Sequence, residues 1–569
     1  VRILNEDPPS LSAVPGVPAW YAELVARLLK KSPNDRLQSA AEVLDRLHRA
    51  GVSTVSPSSS GSGSGKLRGV SKISPGFPVA SQKRWWVWVA GALVLAGAGG
   101  FLYARLKVQP GIRSLVVLPF RNVSANAEMD YLSEGIAEDL INSLSEIPEL
   151  QVIARTTAFQ YKGKEQDVQK FGRELAVDAV LTGRVQQLGD TLVVQADLVN
   201  VRTGSELWGH RYNRQLTDVL GVQREITRDI SDKLRPRLTP DVQRRLAKRF
   251  SEDPEAYQLY LRGRYFWNKR TEPSVAKAVT YFKQAIEADP NFAAAHSGLA
   301  DAHIIQGIYG YAPRSESLAK AEPAARKAIA LDGDLAEAHA SLGIIKFNQW
   351  DWAAADKEYQ QAIALNPNYA TAHHWYAMYL ESARRREQAF LEEKKAQQLD
   401  PGSVVINVAL GAALCAMGEI DRGIASLKET AELEPGSGNA HVTIAECHVR
   451  VKRYQDALVE IEKARVIDPG SDDCLSGTGY IYAVSGRRSD AQSILEQLKK
   501  KDATKDRSGQ IATIYAGLDD REQMFEWLEK AYRRHSNWLV TDLRSSFIYD
   551  AFRSDPRFAD LIRRIGFPP

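Results

Sequence analysis

AEAHASLGIIKFNQWDWAAADKEYQQAIALNP, residues 336–367, is the stretch that decides how most of this chain folds. Its last two residues are a polar residue and Pro. Pro or Gly directly after a helical stretch ends the helix. Pairs of this kind recur along the chain: Asp289-Pro290, Asp332-Gly333, Asn366-Pro367, Asp400-Pro401, Glu434-Pro435 and Asp468-Pro469. The first interval is the longest, and the four that follow it are equal. A fixed period predicts stacked helix pairs, each burying its apolar face on the next.

The repeat resembles the tetratricopeptide family, whose period is about 34 residues with two helices per repeat. Its small and large packing positions are matched in three repeats by Leu342, Gly343, Ala355, Tyr359, Ala362 and Pro367, by Ala445, Ala457, Ala464 and Pro469, and by Gly479, Tyr482 and Ala491. Gly423 and Thr430 replace expected alanines in one repeat. The resemblance implies an α-solenoid of seven or eight repeats over 254–538, followed by a capping helix over 539–569. The long first interval predicts a loop inserted near 309–317.

The first helix of each repeat in this family lines a concave face. The resemblance implies that positions 2, 5, 9 and 13 of a repeat point there, and in this chain they select His374, Met378, Glu381, Asn439, Glu446, Arg450 and Tyr480. Their mix of apolar and charged groups favours a peptide or protein partner over a small metabolite.

Four histidines share one register of the repeat: His296, His339, His373 and His441. Neighbouring helix pairs lie about 10 Å apart, which is too far for one metal ion to collect ligands at about 2 Å. Packing is therefore the favoured role, and neither a metal site nor a cofactor is predicted anywhere in the chain.

Residues 112–238 show alternating strand and helix patterns and predict a small α/β module. The segments VLPFRNVS (117–124), YLSEGIAEDLINSLS (131–145), LQVIARTTAFQYKG (150–163), LAVDAVLTGRV (175–185) and LWGHRYNR (207–214) resemble the TolB N-terminal-like (FlgO-like) domain. That resemblance implies a binding module without a catalytic centre. Arg155, Thr156, Tyr161 and Lys162 could meet a ligand, although satisfying local backbone groups in a loop is the favoured alternative.

The segment WWVWVAGALVLAGAGGFLYA, residues 85–104, contains twenty consecutive uncharged residues. A helix of this length spans roughly 30 Å, the hydrocarbon thickness of a bilayer, so the segment predicts a single-pass transmembrane helix. Five basic residues closely precede it and three follow, which favours a cytoplasmic N-terminus and an extracytoplasmic C-terminal region at the cell (inner) membrane. Ala92, Ala96 and Gly100 form a small-residue face through which two such helices could dimerise.

The segment LVARLLKKSPNDRLQSAAEVLDRL, residues 24–47, resembles the last two helices of the bacterial Ser/Thr protein kinase domain. Arg36 matches the structural arginine of that family, so residues 1–50 are interpreted as the C-terminal remnant of a kinase domain. The phosphate loop, the catalytic loop and the metal-binding motif of kinases are absent from this sequence. Residues 51–84, rich in Ser, Gly and Pro, predict a flexible linker.

Composition adds two restrictions. The net charge of +4 favours no nucleic-acid partner, and three cysteines without metal-binding spacing leave two roles open. Cys415 and Cys447 are small buried residues in the favoured interpretation, while a single disulfide remains open for a chain outside the cytoplasm.

The chain is therefore expected to be multidomain and mainly α, with a transmembrane helix, an α/β module and a repeat solenoid. The favoured hypothesis is the membrane-anchored, protein-binding sensory arm of a receptor-type Ser/Thr kinase whose catalytic site lies outside this sequence. The alternatives are a scaffold for envelope protein assembly without a kinase partner, and a cytoplasmic regulatory adaptor. The cytoplasmic adaptor is an alternative because similar tails, an α/β module followed by repeats, are attached to bacterial cyclases and transcription regulators. Ligand identity does not follow from the sequence.

Overall fold

The computed structural model describes residues 112–124, 126–147, 149–164, 167–234, 251, 253–502 and 505–568. The kinase remnant with Arg36, the linker and the transmembrane segment with Ala92, Ala96 and Gly100 lie outside these residues. Among the helices of the described part, none is long and apolar enough to cross a lipid bilayer.

The predicted α/β module is present and is built on one mixed sheet. Its strands are β1 (Ser114–Val117), β2 (Arg121–Asn122), β3 (Gln151–Val152), β4 (Ala179–Leu188), β5 (Thr191–Asn200) and β6 (Glu206–Gln215). The strand order is β3-β1-β4-β5-β6, and β2 pairs with β4 off this path. β1 is parallel to β3 and β4, whereas β4, β5 and β6 form an antiparallel meander. β1 lies inside the sheet, as its uninterrupted apolar sequence requires.

Helices cover the sheet and bring their apolar stripes to it. They are α1 (Asp130–Ser145), α2 (Arg155–Phe159), α3 (Val168–Glu174) and α4 (Val219–Leu234). Leu132, Ile136, Leu140 and Leu144 of α1 are fully buried, as expected for one stripe of a helix with 3.6 residues per turn. The short helix α2 was not predicted from the sequence.

Eight antiparallel helix pairs occupy the described part of 253–533 and confirm the predicted α-solenoid. The pairs are α5 (Pro254–Asn268) and α6 (Glu272–Ala288), α7 (Ala293–Ile308) and α8 (Arg314–Leu331), α9 (Ala336–Asn348) and α10 (Trp352–Leu365), α11 (Ala370–Ser382) and α12 (Arg386–Leu399), α13 (Val404–Ala416) and α14 (Ile420–Leu433), α15 (Asn439–Arg450) and α16 (Tyr454–Ile467), α17 (Asp472–Val484) and α18 (Arg488–Asp502), and α19 (Ser508–Gly517) and α20 (Arg521–Arg533).

Small residues allow the two helices of a pair to approach each other. In the third pair, Gly343 faces the ring of Tyr359, and a methyl group there would lie 2.7 Å from ring carbons. Ala355 and Ala362 are fully buried at the same crossing. Bulk at these positions would force the helices apart, because protein interiors are close-packed.

The extra residues of the second repeat do not form the inserted loop predicted near 309–317. Instead, α7 and α8 have 16 and 18 residues, compared with 13 and 14 in α9 and α10. Most of the insertion therefore lengthens both helices of the pair, since residues such as Ser317 and Leu318 are buried on α8 and continue its helical face.

The C-terminal region also differs from the single capping helix predicted over 539–569. It forms a π-helical turn (Leu539–Leu543), a 3-10 helix (Phe547–Phe552) and α21 (Pro556–Ile565). Leu539, Val540, Leu543, Tyr549 and Phe552 are buried. These apolar residues recur too irregularly for one straight helix to bury them all, so the backbone breaks into short turns.

The α/β module and the first two helix pairs share one hydrophobic core. Buried residues of that core run from Leu115 in β1 through Ile136 in α1 to Leu261 in α5 and Ala302 in α7. A methyl group added at Gly135 would lie only 3.0 Å from a Leu261 methyl carbon, so α1 packs closely on α5.

Candidate binding groove

The predicted concave face is partly occupied by the protein's own C-terminal region, which we call the closing segment (residues 537–553). The Ser382 hydroxyl on α11 donates a hydrogen bond to the Val540 carbonyl at 2.5 Å. The Arg386 guanidinium, at the start of α12, donates to the Ser545 carbonyl at 3.3 Å. Two groups near the groove thus bind main-chain carbonyls.

An aromatic side chain of the closing segment lies between two predicted groove residues. The Arg450 guanidinium carbon lies 4.3 Å from the centre of the Phe547 ring, and Tyr480 meets the same ring edge-on at 6.4 Å. Cation–π and edge-to-face contacts of this kind hold an aromatic group without a hydrogen bond.

Contacts beside the closing segment join the last helix pair to the third. Trp350 stacks on His535 with ring centres 4.2 Å apart. The Trp352 indole N–H donates to the Ile565 carbonyl at 3.1 Å. The C-terminal region therefore bridges the far end of the solenoid back to its middle.

The negative charges of three carboxylates on α15, α17 and the closing segment act on one another; we call this group, Glu446, Asp473 and Asp542, the acidic pocket. Burial raises the pKa of Glu446 to about 7, and the negative charges of Asp542 and Asp473 add to the effect against the attraction of Arg450. Burial likewise raises the pKa of Asp542 to about 6, with Asp473 contributing in the same direction. Asp473 lies at the exposed rim of the pocket, and the partial loss of water there raises its pKa as well.

An apolar strip lies on α13. Val405 is 59% exposed, and Val408 and Ala412 are partly exposed. Met378 of α11 and Glu446 of α15 lie one repeat length before and after Ala412 and hold the same groove position. The strip is thus an uncovered part of the concave face.

The remaining predicted groove residues lie in different surroundings. His374 is buried and its Nδ1 lies 2.8 Å from the Glu393 carboxylate. Glu381 is partly exposed, and burial raises its pKa against the attraction of Arg386 and Arg450. Asn439 is exposed at the start of α15. Partner binding by these residues stays a prediction.

Sequence reasoning missed Val405, Asp473 and Asp542. Val405 and Asp473 lie one repeat length before and after Asn439, so applying the repeat register to every pair would have found both. Asp542 lies beyond the periodic region, and its sequence carries no signal that brings it to the groove.

The four histidines of the shared register connect the first helix of a pair to the preceding loop, to the second helix of the pair, or to both. The Nε2 atoms of His296, His339 and His373 each lie 3.0 Å from a carbonyl six residues earlier. The Nδ1 atoms of His339, His373 and His441 lie within 2.7 Å of a carboxylate nineteen residues later, those of Glu358, Glu392 and Glu460. These contacts explain why the register recurs.

A buried charge network joins the α/β module to the solenoid. Arg264 of α5 bonds Glu138 of α1 at 2.6 Å and approaches Asp301 of α7 at 3.4 Å. Burial alone would raise the pKa of Glu138, but the guanidiniums of Arg264 and Arg155 outweigh it and hold that pKa below its ordinary value. Burial raises the pKa of Asp301 to about 6 despite Arg264.

Two of the polar residues predicted as ligand contacts or backbone caps form ion pairs inside the α/β module. Arg155 pairs with Glu134 at 3.1 Å and with Glu138 at 2.9 Å, and Lys162 pairs with Glu134 at 2.7 Å. The favoured alternative, local backbone contacts, was therefore wrong for these two side chains. Their partners are carboxylates of α1, which the sequence could not bring to them.

The second contact between module and solenoid involves loops at the ends of repeats. Thr157 donates both its backbone N–H and its hydroxyl to the Asp400 carboxylate, at 3.0 and 2.6 Å. The Asn368 amide donates to the carbonyls of Ser145 and Leu150, both at 2.9 Å. The Asn366 amide also donates to the Ser145 hydroxyl at 2.8 Å, so two of the helix-ending pairs, Asn366-Pro367 and Asp400-Pro401, contact the module.

Cys415 of α13 and Cys447 of α15 form a disulfide, whereas Cys474 is free and buried. The sequence left open whether Cys415 and Cys447 are small buried residues or a disulfide pair, and the structure shows the disulfide. Elsewhere in the described residues, no group of three or more His, Cys, Asp or Glu side chains is placed to hold a metal ion.

Comparison with known proteins finds one family and one curated relative. Residues 112–228, which cover the sheet and part of α4, match the family described as HilA/YgeH-like transcriptional regulator, second domain. A putative adenylate cyclase 3 from Rhizobium meliloti (strain 1021) is 38% identical over 238 residues, 41% of this chain and 40% of that protein. The chain thus spans about two fifths of the length of this curated relative.

Solved structures with similar folds include helical-repeat proteins. The Pseudomonas aeruginosa pilF structure has a TM-score of 0.30 and 23% identity, covering 37% of this chain and 94% of that chain. PilW, a type IV pilus biogenesis factor, has a TM-score of 0.32 and 18% identity, covering 39% and 97%. YrrB, described as a TPR protein with an unusual peptide-binding site, has a TM-score of 0.26 and 18% identity, covering 35% and 97%.

Proposed function

We propose that the described part of this chain is a protein-binding scaffold, in which the groove of the solenoid takes up a peptide segment of a partner. The observation that carries the proposal is the way in which the groove binds the closing segment. Groove residues there donate to main-chain carbonyls and enclose an aromatic side chain, which is the chemistry that recognition of any polypeptide requires.

The uncovered apolar strip supports the same proposal. An exposed valine on a concave helix face, beside two more apolar residues, loses its contact with water when a partner covers it. Burial of apolar surface stabilises a complex by roughly 25 cal/mol for each Å² removed from water. We expect the partner to lie on α13, beside the closing segment.

The test is selection of a random peptide library on the full chain. Wild type should enrich peptides, and Val405→Asp should reduce the affinity of the enriched peptides about tenfold or more. Val466→Asp is the matched control, because Val466 is 81% exposed on α16 and away from the strip. If the wild-type chain enriches no peptide, the scaffold proposal fails.

We further propose that this scaffold regulates an effector attached at its N-terminal side. The kinase-like pattern of residues 24–47 supports a Ser/Thr kinase, whereas the match to a putative adenylate cyclase and to a transcriptional regulator family supports the broader adaptor alternative. The activity of the whole protein follows from the effector. Determining which coding sequence precedes Val1, and whether it contains kinase or cyclase motifs, decides between them.

We also propose that the scaffold lies outside the cytoplasm. It is supported by the uncharged segment 85–104 with its basic N-terminal flank, and by a disulfide between two buried cysteines, a bond typical of oxidising compartments. Trapping free thiols in intact cells tests it. Full reaction of Cys415 and Cys447 with the trapping reagent after denaturation would place the scaffold in the cytoplasm.

A further inference from the structure

β6 is the last strand of the sheet, and no strand in the part of the chain that the structure describes pairs with its outer edge. The Leu216 N–H, directly after β6, donates to the Asp190 carbonyl at the start of β5 at 2.8 Å. Because backbone groups alternate in direction along a strand, the N–H and C=O groups of Gly209, Arg211 and Asn213 point away from β5. An edge of this kind is a template for another strand.

The side chains beside this edge include charges that are not paired within the described residues. Arg211 and Glu206 are exposed, and neither forms a hydrogen bond or an ion pair there. A methyl group added at Gly209 would meet the Glu206 carboxylate and lie 2.9 Å from a carboxylate oxygen of Asp197. Two carboxylates thus occupy the space that a side chain would fill at Gly209, only two residues from an unpaired cation.

The edge is complementary to itself when two copies meet in antiparallel orientation with His210 opposite His210. Gly209 of each copy then lies opposite Arg211 of the other, and both belong to the set whose backbone groups point outward and form the hydrogen bonds of such a pair. Each guanidinium can reach the carboxylates beside Gly209, and opposite charges across a strand pair stabilise it. On the other face of the sheet, the partly exposed Trp208 lies opposite Tyr212, which is a favourable aromatic pair. A register centred on Arg211 would set like charges against each other.

We propose that two copies of this chain associate through β6 and continue their sheets across a twofold axis at His210. A second copy fits the edge because the same ten-residue strand supplies both the cation and the acidic recess, once in each direction. The contact uses only the α/β module. It therefore goes beyond the proposed function and does not depend on the peptide groove.

Oxidative cross-linking of the full chain in detergent tests the register. The two His210 residues would form a non-hydrogen-bonded pair with Cα atoms about 4.5 Å apart, so His210→Cys should give a disulfide-linked dimer above the wild-type background. Asn213→Cys is the matched control, because Asn213 is exposed on the same strand but lies opposite Leu207. Its own counterpart is then about 20 Å away at roughly 3.4 Å per residue, and it should give no dimer.

Charge reversal tests the complementarity, with the dissociation constant of the dimer measured by analytical ultracentrifugation. Arg211→Glu and Glu206→Arg should each weaken dimerisation about tenfold or more, and the two changes together should restore part of it. Arg121→Glu makes the same charge change at an exposed position of β2, which pairs with β4 and not with β6, and should have no effect.

Three results would overturn the proposed dimer: no cross-link in His210→Cys, an equal cross-link in Asn213→Cys, or an unchanged dissociation constant in Arg211→Glu. Peptide selection by the groove should be the same in Arg211→Glu and wild type. Failure of the dimer therefore leaves the scaffold proposal standing, and failure of peptide selection leaves the dimer standing.

Discussion

Glu446 is a carboxylic acid that has lost water without gaining a hydrogen bond, so its ionisation works against folding. Its pKa is raised to about 7 in the folded state, first by burial and then by Asp542 and Asp473, against Arg450. The unfolded chain ionises near the ordinary value. The folded state therefore holds an extra proton between about pH 4.5 and 7, and its stability falls as pH rises through that window.

Glu446→Gln should remove this penalty. At pH 8 we expect the variant to exceed wild type in the free energy of unfolding by on the order of 2 kcal/mol, and at pH 4.5, where Glu446 is protonated, the two should agree. Urea denaturation at both pH values measures the difference. A stability difference that is the same at pH 4.5 and pH 8 would show that Glu446 ionises normally.

Arg264 is the shared counter-ion of Glu138 and Asp301 at the module–solenoid contact. Arg264→Met keeps most of the side-chain volume but leaves two enclosed carboxylates without their cation. We expect a loss of about 3 to 5 kcal/mol in the free energy of unfolding at pH 7. Arg228→Met is the control, because the Arg228 side chain is 68% exposed and its loss should cost little. Equal effects in the two variants would contradict this role of Arg264.

At the scale of elements, the repeat period predicted the helix pairs well, because each pair must pack on the next through residues at the same positions of the repeat. Helix-ending pairs and small crossing residues are visible in sequence, and the structure uses both. The turn inside each pair is less visible. Positions 350, 384, 418, 452 and 486 follow one another at one repeat length, and all have positive φ. Only two are glycine; Trp350, Arg384 and Lys452 adopt the left-handed backbone that closes the helix, without a sequence signal for it.

The candidate site was predictable only where it follows the repeat. Register alone located Arg450 and Tyr480, which contact Phe547 of the closing segment. A role of these residues, of Met378 or of Glu446 in binding a partner stays a prediction. The segment itself was expected to form a capping helix. Its π-helical turn and 3-10 helix arise from long-range contacts with α11 and α15, which local periodicity does not encode.

The disulfide links α13 and α15 across 32 residues of sequence. Such a cross-link restricts the unfolded chain, and a loop of that length contributes about 4 kcal/mol in the chain-entropy model. The double substitution Cys415→Ala with Cys447→Ala should lower the free energy of unfolding by about that amount, measured in urea without reductant. Adding reductant should bring wild type close to the variant.

Cys474→Ala provides the comparison for that experiment, since Cys474 is buried in the next helix pair but unpaired. Its stability should respond to reductant as wild type does. A double variant as stable as wild type without reductant would contradict a stabilising cross-link.

At the scale of the whole described part, the chain is tied together at both ends of the solenoid. The α/β module shares its core with the first two helix pairs and reaches the loops at Asn368 and Asp400. The C-terminal region returns from the eighth pair to the third pair through His535 and Ile565, and its closing segment contacts the fourth. The repeats of a solenoid ordinarily contact only their sequence neighbours, so these long-range contacts add restraints that a simple stack of repeats lacks.

Substitution of Val540 tests the contact between the closing segment and the groove. Val540 is fully buried, and its carbonyl accepts the Ser382 hydrogen bond. Val540→Asp places an unpaired charge in the interior, which the chain can avoid by releasing the closing segment into water. We expect the radius of gyration from X-ray scattering to rise and trypsin to cleave at Arg544 and Arg553. Helicity should fall only slightly, since the helix pairs keep their own contacts. Val466→Asp introduces the same charge at an exposed site and should leave both measurements unchanged. If Val540→Asp unfolds the whole solenoid instead, the segment is part of the core on which every pair depends, and the groove cannot be opened without losing the fold.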